Sequence, residues 1–126
     1  MYVMVYGTLM KGFVSNSLLE SSSYIGKART KGCLYHLSDG YPAMVHGHGW
    51  VYGEVYDVDG ETLEALDAYE DYFGEYEDNL YNRTKVEAIL EDHTKVKVDI
   101  YIYANEENAK EMGIPVHHGC WMYITN

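Results

Sequence analysis

The sequence predicts an α+β fold with a curved or barrel-like sheet, and three observations carry that class. Runs of β-forming residues dominate the chain from Met1 to Tyr103, while helical segments are few and short. There are 14 tyrosines against 2 phenylalanines, which suits half-buried strands whose aromatic faces turn a hydroxyl toward water or a ligand. At 126 residues the chain makes one domain with a core of its own, residues 1–126, needing neither disulfides nor metals as staples.

Each element follows in order. Met1 to Tyr6 alternates weakly and is rich in Val and Tyr, so it reads as a strand. Gly7 to Gly12 is a loop bounded by glycines, Val14 to Glu20 forms a short helix, and Ser21-Ser22-Ser23 ends it. Tyr24 to Thr30 and Cys33 to Leu37 read as two strands, followed by a turn at Ser38-Asp39-Gly40. The proline makes Tyr41 to Val45 an edge or irregular strand, and Trp50 to Val58 is another strand. Asp59 then offers an N-cap for a helix from about Glu61 to Glu70. Tyr72 to Leu80 is acidic and irregular. Tyr81 to Leu90 and Val96 to Tyr103 are long β runs joined by a hairpin turn across Glu91 to Thr94. A short helix near Glu106 to Met112 precedes Gly113-Ile114-Pro115 and a tail containing Trp121.

Charge excludes some functions. With 9 basic and 20 acidic residues the formal charge is −11, which argues against nucleic acid or an anionic membrane as partner. An anionic small substrate then needs backbone N–H groups or one of the few basic side chains. No run approaches a membrane span and no basic, apolar leader opens the chain, so a cytoplasmic protein is expected. Cys33 and Cys120 fit two reduced thiols.

Glu70 is the residue that breaks pattern. The apolar stripe of its helix is Leu63 and Leu66, and at about 100° per residue Glu70 falls between them. Glu61 and Glu64 project away, as solvated carboxylates should. A carboxylate aimed inward is a candidate acid or base in a cleft; the competing reading is a frayed last turn from which Glu70 reaches water. The turn Tyr6-Gly7-Thr8-Leu9 follows the first strand directly. Glycine there allows close backbone approach, and successive free N–H groups can hold a carboxylate, although taken alone this reads as an ordinary tight turn. Phosphate-loop patterns are absent. His46-Gly47-His48 and His117-His118-Gly119-Cys120 supply ligand-type atoms, but loop histidines in water account for them better than a metal site, and none is expected. Cys33 reads as core, and Cys120 lacks a third group to orient a catalytic pair.

Together these residues resemble a known family. Val5-Tyr6-Gly7-Thr8-Leu9 with Lys11-Gly12, then Tyr41-Pro42-Ala43, Gly53-Glu54-Val55-Tyr56, Leu66-Asp67-Ala68-Tyr69-Glu70 and Tyr81-Asn82-Arg83 stand in the order and spacing of the γ-glutamylcyclotransferase-like superfamily. The pattern is most similar to its γ-glutamylamine cyclotransferase and AIG2-like branch. It runs from about Tyr2 to Tyr103, and the tail from about Asn105 matches less clearly. The resemblance implies a small mixed β-barrel-like sheet flanked by short helices, with a cavity at one end. It also implies conversion of a γ-glutamyl amine or peptide to 5-oxoproline and free amine. Glu70, in the Leu-Asp-x-x-Glu motif, takes the catalytic position, and Tyr6, Gly7, Thr8 and Leu9 the substrate-holding loop. No metal or organic cofactor is implied.

Tyr81 and Arg83 are secondary candidates for substrate binding, since alternation puts both on one strand face. An ion pair with the acidic run Asp67 to Asp78 is the structural alternative for Arg83. For Tyr41, packing and cavity-wall roles stand level. A small-molecule γ-glutamyl substrate is the expected partner, and nothing suggests an extended oligomer seam, so a monomer is favoured. Two rival functions keep the same cavity: a non-catalytic binding module for an amino-acid-like ligand, and γ-glutamyl removal from a biosynthetic intermediate.

Overall fold

Strand-forming residues occupy most of the chain, and in the computed structural model, which describes residues 1–121, they close on themselves. The strands are β1 (Tyr2–Val5), β2 (Ser23–His36), β3 (Pro42–Asp57), β4 (Tyr81–Leu90), β5 (Lys95–Tyr103) and β6 (Ile114–Pro115). Helix α1 spans Gly60–Tyr69, α2 spans Glu106–Met112, and a short 3-10 helix covers Val14–Leu19. The order β3-β1-β5-β4-β2, with β2 paired back onto β3, makes a closed five-stranded barrel, and β6 adds to the far end of β2. All pairings are antiparallel except β1 with β5, joined through Val3 and Asp99. The sheet is therefore mixed, as expected, and closure removes the open edges a curved sheet would present.

The sequence divides β2 and β3 where the structure does not. Tyr24 to Thr30 and Cys33 to Leu37 form one 14-residue strand, and the two segments Tyr41 to Val45 and Trp50 to Val58 form one of 16. Pairing runs Lys31 with Trp50 and then Cys33 with Val45, so the glycine-rich segment 46–49 is a wide bulge in a continuous strand. Gly47 allows it: a Cβ there would overlap the Cys33 sulfur. Pro42 sits at the first position of its strand, where its missing donor does least harm.

Inside the barrel the side chains interdigitate. Met4, Met44, Val51, Val55, Leu66, Ile100 and Trp121 are completely or almost completely buried. Trp121, from the tail, packs edge-on to His36 with ring centroids 5.0 Å apart. A smaller cluster of Leu37, Ala43, Val45 and Ala109 seats α2. Helix α1 lies across the barrel end through Leu63 and Leu66, each contributing about 1.5–3 kcal/mol by burial. Asp59 caps it, accepting the Thr62 N–H at 2.8 Å. At its other end Asp71 adopts φ 53°, the Tyr72 N–H donates to Asp67 O at 2.9 Å, and the Asp71 N–H to Ala68 O at 3.3 Å. That pair of bonds is a Schellman motif, and it makes Glu70 the C-cap.

Candidate active site

The first strand delivers the loop. After Val5 the chain leaves the sheet, and the Met10 N–H closes a turn on Gly7 O at 3.1 Å. Gly7 lies flat against Pro42, and a Cβ there would collide with the proline ring. The Tyr69 hydroxyl, from the end of α1, lies 2.8 Å from Thr8 Oγ1 and donates to Ser15 Oγ at 3.0 Å, leaving Thr8 as donor in the first contact. Among the described residues no acceptor meets the N–H groups of Gly7, Thr8 or Leu9. They remain available to a ligand.

Those amides border a cavity of about 240 Å³. Its wall is made by Tyr6 to Leu9, Tyr41 and Pro42, Tyr69 to Asp71, Leu80, Tyr81 and Tyr101. Four sequence-distant segments thus meet the helix C-terminus at one end of the barrel. Gly7→Ala is expected to displace Pro42 or the loop and to cost about 1–3 kcal/mol, which denaturant unfolding would measure. A variant as stable as the parent would show that the glycine contact has slack.

Glu70 faces this cavity, and its surroundings explain its acidity. Burial, and then the like charge of Asp71, push the carboxyl up from its ordinary range to about 7. Its place at a helix C-terminus, where the dipole is negative, acts in the same direction. Three tyrosines near enough to feel its charge offer no relief, because each hydroxyl proton is committed elsewhere. Tyr6 donates to Tyr101 O at 2.6 Å, Tyr81 to Pro42 O at 2.6 Å, and Tyr101 to Asp67 Oδ1 at 2.6 Å. Burial raises all three phenols well above their usual range, so those protons stay in place. The carboxylate has a desolvated seat and, among the described residues, no hydrogen-bond donor.

The expected site residues separate cleanly. Glu70, Tyr6, Gly7, Thr8, Leu9 and Tyr81 all line the cavity, with the phenols of Tyr6 and Tyr81 holding the wall together. Arg83 departs from the expectation of a cavity residue. Its Nε lies 3.2 Å from Asp67 Oδ1 and its guanidinium over the Tyr72 ring, so the ion-pair alternative describes it. Tyr41 is a wall residue. Sequence pattern alone does not single out Asp67 or Tyr101. Asp67 stood in the quoted helix motif, but Tyr101 comes from β5, and no local pattern ties it to α1. His46 and His48 border one groove, His118 and Cys120 another. Among the described residues no three His, Cys, Asp or Glu side chains gather as for a metal. No described helix is long and apolar enough to cross a membrane.

Comparison with known proteins decides the family. A model described as "Gamma-glutamyl cyclotransferase, AIG2-like" matches residues 3–123. The chain belongs to that family. A Methanocaldococcus jannaschii protein named as a candidate gamma-glutamylcyclotransferase is 34% identical over 105 residues, 81% of this chain and 83% of its own length. The gamma-L-glutamyl-butirosin B gamma-glutamyl cyclotransferase of Niallia circulans is 36% identical over 81 residues, 63% of this chain and 52% of that protein. The chain therefore spans about half the length of the latter. Among solved structures, an AIG2-like protein from Mus musculus superposes with a TM-score of 0.77 at 24% identity, covering 95% of this chain and 86% of that one. YkqA from Bacillus subtilis gives 0.74 at 28% identity, over 97% of this chain and 39% of that one. The cyclotransferase family fold, a barrel closed by short helices, is thus shared along nearly the whole chain.

Proposed function

We propose that this member of the gamma-glutamyl cyclotransferase, AIG2-like family cyclises a γ-glutamyl amine or γ-glutamyl peptide to 5-oxoproline and releases the amine, with Glu70 as general acid/base. One observation carries the reading. A carboxyl raised to about 7 sits in a cavity that also presents three backbone amides, and neither it nor they have a hydrogen-bond partner among the described residues. The Niallia circulans relative, named as a gamma-L-glutamyl-butirosin B gamma-glutamyl cyclotransferase, supports it.

The chemistry requires little else. The substrate's α-amine is its own nucleophile, and attack on the γ-carbonyl closes a five-membered ring, so holding the reactive conformer supplies much of the rate. The α-amine arrives as ammonium. Glu70, ionised, takes one ammonium proton; the ring C–N bond forms, and that proton is delivered to the departing nitrogen as the original C–N bond breaks. The second proton the ring nitrogen must lose passes through the regenerated carboxylate to the released amine, which leaves as ammonium. The Gly7–Leu9 amides hold the α-carboxylate, or the oxyanion developing at the γ-carbonyl, which resolves how a chain of charge −11 binds an anion. The cavity volume, about 240 Å³, suits an amino-acid-sized group, with half-exposed Tyr41 and Tyr69 at its mouth where a leaving amine would emerge.

The test is incubation with a γ-glutamyl peptide and with γ-glutamyl-lysine, with 5-oxoproline detected by mass. Binding without product across a broad panel would instead favour a non-catalytic module. Since Glu70 must be ionised to accept the ammonium proton, kcat/KM is expected to rise with pH through a limb near pH 7. Asp71→Asn keeps a residue tolerant of the left-handed conformation and removes the like charge, so that limb moves to lower pH. A limb that stays put would remove Asp71 from the account of Glu70.

A further inference from the structure

Glu54 is a buried carboxyl that the proposed reaction does not use: it is 5% exposed and does not border the active cavity. It lies on the far side of the Gly7–Lys11 loop. Its Oε1 accepts the Lys11 N–H at 2.9 Å and the Tyr56 hydroxyl at 3.0 Å. The Tyr56 oxygen in turn accepts from Asn16 Nδ2 at 3.1 Å, and the same Asn16 amide donates to Leu9 O at 2.8 Å. We propose that Asn16, Tyr56 and Glu54 are a brace that fixes the loop in its substrate-holding shape, making them positioning residues for the γ-glutamyl group. The proposal rests on the reading of that loop as the substrate's holder.

The geometry shows how the brace works. A trans peptide is rigid, with its C=O and the following N–H pointing in opposite directions. Asn16 grips the carbonyl of the Leu9–Met10 peptide, and the N–H of the same peptide reaches Gly7 O at 3.1 Å. Both ends of one plane are therefore held, and the next N–H, on Lys11, is held by Glu54. The turn is closed by the bonds it makes on its outer side, so the amides of Gly7, Thr8 and Leu9 stay free on the inner side. The donors are fully assigned. Asn16 uses both amide hydrogens, and Tyr56 donates its single hydroxyl hydrogen to Glu54. Burial pushes the Tyr56 phenol up to about 12, which keeps that proton available. Lys11 adds a lid, with its Nζ 3.5 Å from the Tyr24 ring centre, and Tyr24 meets Tyr56 edge-on.

The test uses Tyr56→Phe, which keeps the ring and removes only the hydroxyl, and Asn16→Ala, at a half-buried position outside the barrel core. Amide hydrogen exchange at Met10 and Lys11 is expected to become about five- to tenfold faster, consistent with loss of one hydrogen bond. With γ-glutamyl-lysine, or the γ-glutamyl peptide if that is the better substrate, KM rises by a similar factor while kcat stays within about twofold, because binding is lost equally from ground and transition states. A purely structural role would lower Tm without splitting KM from kcat well below Tm. Unchanged exchange at both amides in either folded variant overturns the brace, as does a kcat loss at constant KM. Should the parent make no 5-oxoproline across a broad γ-glutamyl panel, the proposed function fails, and the exchange rates decide the brace by themselves. If Tyr56→Phe does not fold, Asn16→Ala carries both readouts.

Discussion

Glu70→Gln is expected to lose turnover by about 10²-fold or more while making the protein more stable at alkaline pH. The amide keeps the shape of the side chain and removes the cavity carboxyl that titrates near neutrality, so proton transfer fails while substrate can still bind. The stability gain follows from linkage. The carboxyl titrates near 7 when folded and from the ordinary 4.5 when the chain is unfolded, so the folded state binds the proton more tightly. Its favourable contribution is complete below pH 4.5, declines as pH rises, and is gone above about 7. The ionised parent thus carries a penalty at pH 8 that the glutamine variant lacks. For a group that faces a wet cavity this amounts to roughly 2–3 kcal/mol. Paired urea titrations at pH 4 and pH 8 would read it: near-equal stabilities at the lower pH and a gain for the variant at the higher. Retained turnover on an identified substrate would sink the catalytic assignment, and equal stability at pH 8 would show that the folded carboxyl is better solvated than its surroundings indicate.

Asp67→Ala should be the most destabilising single change at the site, at about 2–4 kcal/mol. Asp67 joins three elements. It accepts from the Tyr101 hydroxyl of β5 at 2.6 Å, pairs with Arg83 of β4 at 3.2 Å, and its own carbonyl accepts the Tyr72 N–H that ends α1. Removing the carboxylate strands a phenol and a guanidinium that are each largely enclosed. Both Asp67 and Arg83 retain 20–25% side-chain exposure, which keeps the penalty below that of a fully buried pair. Asp67→Asn preserves an acceptor for Tyr101 and should cost less than half as much. Because Tyr101 forms part of the cavity wall, the alanine variant should also bind substrate more weakly. Thermal unfolding of the two variants side by side would check the order. An alanine variant within 0.5 kcal/mol of the parent, the usual range for a surface change, would mean that water replaces both contacts.

Much of this arrangement was legible in the chain because it rests on local rules. The α1 helix announces itself through Asp59, Leu63 and Leu66, and the hairpin after Leu90 through its polar turn residues. The anomaly at Glu70 was visible as a charge between leucines. Its position is one residue off, a cap and not a helical turn, because Asp71 takes the left-handed conformation usually left to glycine. Segments 31–32 and 46–49 read as breaks because glycine and histidine interrupt the β pattern, yet a strand paired along both flanks absorbs extra residues as a bulge. The wall contributed by Tyr101 and the brace through Glu54 depend on pairings remote in sequence. A glutamate on β3 looks like any strand glutamate until the Lys11 amide is found against it. Arg83 was ambiguous for a related reason, since alternation fixes its face but not which neighbour reaches it first.

The parallel pairing of β1 with β5 also has a consequence for the order of events in folding. β1 is the first strand of the chain, yet it lies between β3 and β5. The Tyr6 hydroxyl and its acceptor on Tyr101 are 95 residues apart. The β2–β3 and β4–β5 hairpins assemble from neighbours, but the barrel closes only when the last long strand reaches the first, placing a long loop closure late in assembly. During synthesis the loop that carries the proposed substrate amides therefore waits for Lys95–Tyr103 to appear. Until then the cavity has no wall on that side, and the protein acquires its pocket in the same step that closes its barrel.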